Sequence, residues 1–296
     1  MRRIPSPYAL FIISLILFGT NGVVADGINL SSVHIVLLRT FFGSLLLIVA
    51  YLIGGGRYKA AISDRKQMTY ILISGVSMGV SWIMLYEAYI LVGVSVSSMI
   101  YYCGPALVMV LSPFIFNEKL TLPKAAGFIV VAIGAGLMCS PALGTDVNVM
   151  GYVYSAGSAV AHATMVIFGK LAYKVGGLEN SSLQLLYSFL IVLLYVLVTW
   201  NVDIHINASD WGNILFLGFV NTGLGCLLYF STITVLSAQT VSISGYLEPL
   251  SAVVFSAILL GETMTVLQIV GCVLILAGAM YAEIHGLKKP ENHAQA

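Results

Sequence analysis

The chain consists of apolar runs of about 20 residues separated by short polar breaks. At 1.5 Å per residue, about 20 residues is the length that carries an α-helix across the hydrocarbon core of a bilayer. Five runs, at about 7–26, 33–54, 69–91, 95–116 and 121–140, fill the first half, and five more, at about 149–174, 180–201, 209–234, 238–260 and 265–285, fill the second. Almost nothing is left for a water-soluble domain. Hydrophobic residues make up 59% of the chain and charged ones 8%, against about a quarter charged in a soluble domain. The expected fold is an all-α integral membrane protein with ten transmembrane helices.

The same composition removes several function classes. The net charge is +1 and no basic cluster is interleaved with aromatics, so no nucleic-acid partner is expected. Cys103, Cys139, Cys226 and Cys272 stand inside apolar runs without CxxC spacing and read as small packing residues, not as disulfides or a zinc site. No metal or cofactor is expected. An ATP-driven pump would need a glycine-rich segment followed by Lys-Ser or Lys-Thr, which is absent. An enzyme would need a nucleophile with a base or two histidines at metal spacing, and His162 has no second histidine deep within the membrane runs. The run from Tyr8 to Ala25 follows Arg2 and Arg3 and lacks a small-residue cleavage site before a soluble domain, so it reads as an uncleaved first helix.

The chain also repeats itself. Residues 246–265, YLEPLSAVVFSAILLGETMT, echo residues 102–121, YCGPALVMVLSPFIFNEKLT, 144 positions earlier. Pro249 answers Pro105, Ser256 answers Ser112, Glu262 answers Glu118 and Thr265 answers Thr121, while Gly271 and Gly278 answer Gly127 and Gly134. Aligned this way, residues 105–138 and their partners share eight identities in thirty-four pairs. Two similar halves in so apolar a chain are a mark of secondary transporters. The units expected are a five-helix repeat at 8–140, a second at 149–285 and a short cytoplasmic tail at 286–296.

Lys and Arg gather in cytoplasmic loops. Arg2, Arg3, Arg57, Lys59, Arg65, Lys66, Lys119, Lys124, Lys170, Lys174, Lys288 and Lys289 all fall on one side if both termini are cytoplasmic, whereas Asp26, Asp146, Asp203, Asp210 and Glu262 fall on the other. Arg39, the thirteenth, lies deep inside a run. An odd number of helices per repeat then places the second repeat upside down relative to the first.

A fourth and a ninth run that each lead from a proline through an apolar stretch to a glutamate, Pro105 to Glu118 and Pro249 to Glu262, resemble the EamA family of the drug/metabolite transporter superfamily. The resemblance covers residues from about 8 to 284. It implies a secondary transporter, often an exporter of amino acids or other small metabolites, with a central cavity between the halves. Members commonly carry a Trp-Gly pair in the first helix, where this chain has Phe18-Gly19.

An ionisable side chain deep in a bilayer costs about 2.5–3.5 kcal/mol on insertion scales, so it normally faces a partner or a water-filled cavity. Arg39 lies about 9 Å below the outer end of its run and Glu87 about 6–8 Å below the outer end of its own. The matching depths suggest an ion pair, serving either substrate binding or packing. Asn21 reaches the same level. Glu248 stands about 15 Å in from the cytoplasmic end of the ninth run, near the midplane. Pro249 beside it cannot donate to the Gly245 carbonyl, so a kink is expected there, as at Pro105, and transporters place sites at such broken points. His162, about 10 Å from the inner end of its run, can exchange a proton near neutral pH. With Glu248 it forms the candidate proton-coupling pair. Trp82 and Tyr86, four apart on one helix face, join Tyr102 and Tyr246 as aromatic surface with polar tips for an amphipathic solute, with Tyr101 and Tyr229 beside them.

The substrate-binding candidates are therefore Asn21, Arg39, Trp82, Tyr86, Glu87, Tyr102, Tyr246 and Glu248. The expected function is secondary transport, as an exporter, of small metabolites such as amino acids or related amphipathic solutes. The expected setting is the plasma membrane, crossed many times, with membrane lipids as neighbours and the chain a monomer or homodimer. A flippase for a lipid-linked solute, or a membrane binding protein that does not transport, is the alternative.

Overall fold

In the computed structural model, which describes residues 6–92, 94–139, 148–199, 203–261 and 265–286, the polar breaks of the sequence supply the groups that start the helices. Ser6 accepts the Ala9 amide at 3.2 Å and opens α1 (Pro7–Asp26), which turns once at Thr20. Ser31 accepts the His34 amide at 3.4 Å to open α2 (Ser32–Ile53). Asp64 accepts the Lys66 and Gln67 amides at 3.1 and 3.3 Å at the start of α3 (Arg65–Val92), and these bonds, the Gln67 one foremost, hold its carboxyl below the usual carboxylate range. The fourth helix, α4, comes in two pieces, Val94–Tyr101 and Cys103–Phe116. There follow α5 (Leu122–Cys139), α6 (Val149–Leu171, capped by Asn148), α7 (Gly177–Val198) and α8 (Ala208–Ile233). A second broken helix, α9, has the pieces Ala238–Gly245 and Leu247–Phe255, and α10 is Val266–Gly286. The described residues contain no strand. Asp146, Glu262 and the terminal Arg2, Arg3, Lys288 and Lys289, all used above, lie outside them, as does the tail beyond Gly286.

Six of these elements are long and apolar enough to cross a membrane: α1, α2, α3, α7, α8 and α9 taken as Ala238–Leu259. Shorter apolar helices, Cys103–Phe116, Leu122–Leu137 and Ile269–Ala282, accompany them. The run expected at 149–174 folds as the 23-residue α6, but Ser155, Ser158, His162 and Lys170 dilute its apolarity and it is not among the six.

Small residues bring the backbones together where apolar side chains gain nothing from leaving lipid. A Cβ on Gly127 would stand 2.6 Å from the Gly278 carbonyl oxygen, and one on Gly134 would stand 2.7 Å from that of Gly271. Residue 127 therefore meets 278 and residue 134 meets 271, so α5 and α10 run antiparallel. Val131 and Ile275, themselves 144 apart, are fully buried between those contacts. Between α3 and α6, Ser81 donates to the Ser158 carbonyl at 2.9 Å and Ser158 to the Ser81 carbonyl at 2.8 Å.

The two broken helices also meet. Their interruptions fall at Tyr102 and Tyr246, 144 apart and each three residues before a proline, and Tyr246 Oη donates to the Tyr102 carbonyl at 2.7 Å. At the end of the bundle that carries most of the lysines, Glu118 accepts the Ala238 and Gln239 amides at 2.7 and 3.2 Å, capping α9. Lys170 Nζ lies 4.0 Å from the same carboxylate and donates to the Leu236 and Ile233 carbonyls, so α4, α6, α8 and α9 are tied at one point.

Candidate functional site

Two adjoining pockets lie among the helices and share Tyr101, His162, Tyr229 and Glu248 on their walls. One extends between α1, α2, α3 and α8 and is lined further by Phe18, Asn21, Arg39, Trp82 and Cys226. The other extends along the broken helices, past Tyr102, Pro105, Val241 and Gly245. Together they form one cavity to which both halves of the chain contribute.

Local irregularities aim the polar residues into it. The stretch Phe216–Leu224 of α8 is wound as a π-helix, a form frequent at functional sites. This turn presents Thr222 Oγ1 to Arg39 Nε at 2.9 Å and Asn221 Nδ2 to Thr20 Oγ1 and Asn21 Oδ1 at 2.8 and 3.0 Å. It thereby fixes both the arginine and the turn of α1. Gly43 lets α2 approach closely enough, since a Cβ there would stand 2.9 Å from Thr222 Cγ2. Arg39 is only 5% exposed, and its guanidinium lies over the Trp82 ring at 4.5 Å.

On the opposite wall, His162 Nδ1 lies 2.8 Å from Tyr101 Oη, and the two rings meet edge to face. Gly104 of α4 leaves room for the imidazole, because a Cβ there would approach His162 Cδ2 to 3.0 Å. Glu248 sits two residues beyond the break of α9. Its backbone carbonyl takes the Ser251 hydroxyl at 2.9 Å, while its carboxyl faces both pockets and bonds to no described side chain.

Of the candidates from sequence, the cavity wall gathers Asn21, Arg39, Trp82, Tyr102, His162 and Glu248, together with Pro105. It does not include Tyr86, which meets Tyr89 edge to face, nor Tyr246, which is 2% exposed and packs among Met109, Val131 and Ile275. Pro249 is buried beside Leu250. The expected pairing of Arg39 with Glu87 does not form. Arg39 is turned toward α8, whereas Glu87 Oε1 accepts the Tyr195 hydroxyl of α7 at 2.7 Å. Counting residues from a helix end gives depth but not the direction in which a side chain points. Thr222, Met78 and Phe230 carry no chemical signal of their own in the sequence, and Cys226, read there as a packing residue, lines the wall as well. Phe18 did carry one, its place beside Gly19, and its ring packs against Tyr229 at 5.9 Å between centroids.

An apolar helix bundle with an arginine, a glutamate and a histidine around an internal cavity has the makings of a membrane transporter. The sequence matches the EamA-like transporter family over residues 5–140 and again over 149–282, and the chain belongs to that family. It is 24% identical over 270 residues to the uncharacterized transporter YxxF of Bacillus subtilis, covering 90% of this chain and 86% of that protein. It is 28% identical over 191 residues to a Salmonella typhimurium protein named "probable amino-acid metabolite efflux pump", covering 61% of this chain and 64% of the other. A solved crystal structure of a protein 16% identical in sequence superposes with a TM-score of 0.83, covering 94% of this chain and 98% of that one, and shows the same fold.

Proposed function

We propose that the protein is a secondary transporter that exports small metabolites, amino acids or related amphipathic solutes, by alternating access through the cavity between its repeats. The observation that carries this reading is the placing of Glu248 and His162 on one cavity wall beside the breaks of α4 and α9. On this reading all ten runs span the plasma membrane and both termini are cytoplasmic. The repeats 8–140 and 149–285 are inverted, followed by a cytoplasmic tail at 286–296. The antiparallel crossing of α5 and α10, equivalent helices of the two halves, supports the inversion. The efflux name of the Salmonella relative supports the direction.

Asn21, Arg39, Trp82, Tyr102 and Glu248 contact the solute, with Tyr86, Glu87 and Tyr246 acting behind them. Glu248 carries the coupling proton, and His162, held by Tyr101, tunes it. A carboxyl without a fixed hydrogen-bond partner can load and release a proton as the cavity opens first to one side and then to the other. In proteoliposomes with an imposed pH gradient, Glu248→Gln is expected to abolish concentrative transport while solute binding persists, because glutamine keeps the shape and loses the proton. His162→Gln shifts the pH optimum and leaves activity. A Glu248→Gln protein that still concentrates solute against its gradient would overturn the proton role.

A further inference from the structure

The cavity holds a buried cation whose hydrogen-bonding capacity is largely unspent. Arginine offers five donors, and Arg39, 5% exposed, uses only Nε, on Thr222. Its two terminal amino groups bond to no described residue and stand on the cavity wall. Elsewhere the protein satisfies its enclosed charges closely: half-buried Glu118 takes two amides, and buried Glu179 takes the Tyr51 hydroxyl and the Ala61 amide. A guanidinium left open in the same interior is a group awaiting a partner.

Glu248 lies within electrostatic reach of Arg39 but does not hold its terminal edge. It lines the same cavity, yet no ion pair joins it to Arg39 among the described residues. The guanidinium is also fixed in orientation. Thr222 holds Nε from one edge and is itself anchored on the Leu217 carbonyl at 2.8 Å, while Trp82 covers one face at 4.5 Å. The terminal edge remains, a fork whose two parallel N–H groups match the two oxygens of a carboxylate. Phe18, Met78, Tyr229 and Phe230 supply an apolar surround.

We propose that Arg39 is the anchor for a carboxylate on the transported solute, whose apolar body lies against Trp82, Phe18 and Tyr229. This rests on the transporter reading and adds which chemical group is held and by which atoms. A dianionic phosphate fits less well, because the pocket that holds Arg39 offers it one permanent cation and sets a carboxyl on the same wall. Arg39 arrives oriented, so little ordering entropy is lost on binding.

Trp82 is the built-in reporter. In a Trp200→Phe, Trp211→Phe background it is the sole tryptophan. Titration of the purified protein with 3-phenylpropionate is expected to change its fluorescence saturably, with 3-phenylpropionamide binding at least ~10-fold more weakly, as expected for loss of a charge-assisted pair. Arg39→Gln removes that preference, and Arg39→Lys, which keeps the charge and loses the fork, retains part of it. Thermal unfolding of both variants checks that they fold. Equal affinity for acid and amide, no response to the acid, or a preference that survives Arg39→Gln overturns the anchor. Counterflow of a solute panel in proteoliposomes separates this failure from that of the transporter reading. Neutral or cationic solutes moved equally well by Arg39→Gln sink only the anchor, whereas no counterflow of any solute sinks the transporter.

Discussion

Glu87 shows how one half-buried carboxylate chooses between partners at the same depth. It takes the Tyr195 hydroxyl at 2.7 Å and leaves Arg39 to Thr222 and Trp82. Hydrogen bonds between membrane helices contribute roughly 0.5–1.5 kcal/mol, so a double-mutant cycle on Glu87→Gln and Tyr195→Phe is expected to show coupling of that size. The Arg39 and Glu87 pair, tested the same way, should be additive to within about 0.5 kcal/mol. Coupling between Arg39 and Glu87 as large as that between Glu87 and Tyr195 would contradict the arrangement. The residue scale is where sequence is least informative. Depth follows from counting along a helix, but rotation about its axis is set by neighbours, here by the π turn of α8 that draws Arg39 sideways.

At the scale of the helix, the glycines give a matched pair of tests within α5. A Cβ on Gly134 would stand 2.7 Å from the Gly271 oxygen, a backbone atom that cannot step aside, whereas one on Gly136 meets nothing within 4 Å. Gly134→Ala is expected to destabilise the protein by about 1–3 kcal/mol as α5 and α10 are pushed apart. Gly136→Ala should be neutral or stabilising by up to about 1 kcal/mol through helix propensity. Thermal unfolding in detergent distinguishes the two, and similar effects would mean the crossing is not set by these glycines. The extents of the helices are legible in the sequence because the polar breaks that end one helix also cap the next, as Ser31, Asp64 and Ser237 do. The broken helices are legible through Pro105 and Pro249, although the interruptions settle three residues earlier, at Tyr102 and Tyr246. What the sequence does not carry is pairing: nothing in the stretch from Glu118 indicates that its carboxylate will cap a helix that begins 120 residues later.

For the molecule as a whole, orientation is the first quantity to measure. A cysteine at Asp203, which is highly exposed, should react with an impermeant maleimide on intact cells, and one at Lys59 should react only after the cells are opened. The reverse pattern would invert the protein. The repeat itself is legible from sequence, because identities 144 residues apart persist where the halves touch, at Gly127, Gly134, Gly271 and Gly278. The contact between Tyr246 and Tyr102 adds a mechanical consequence. Two equivalent residues that touch lie close to the axis that exchanges the halves, and under the alternating access proposed above, with the halves rocking about that axis, points on it would not travel. In that picture a bond at such a fulcrum would be present to the same extent in both end states. It would therefore strengthen the fold yet cancel from the free-energy difference between the proposed inward-open and outward-open forms. Tyr246→Phe is expected to lower the unfolding temperature and to leave unchanged the ratio of inside to outside accessibility of a cysteine at Val241 on the cavity wall. A lever can be weakened at its pivot without tipping.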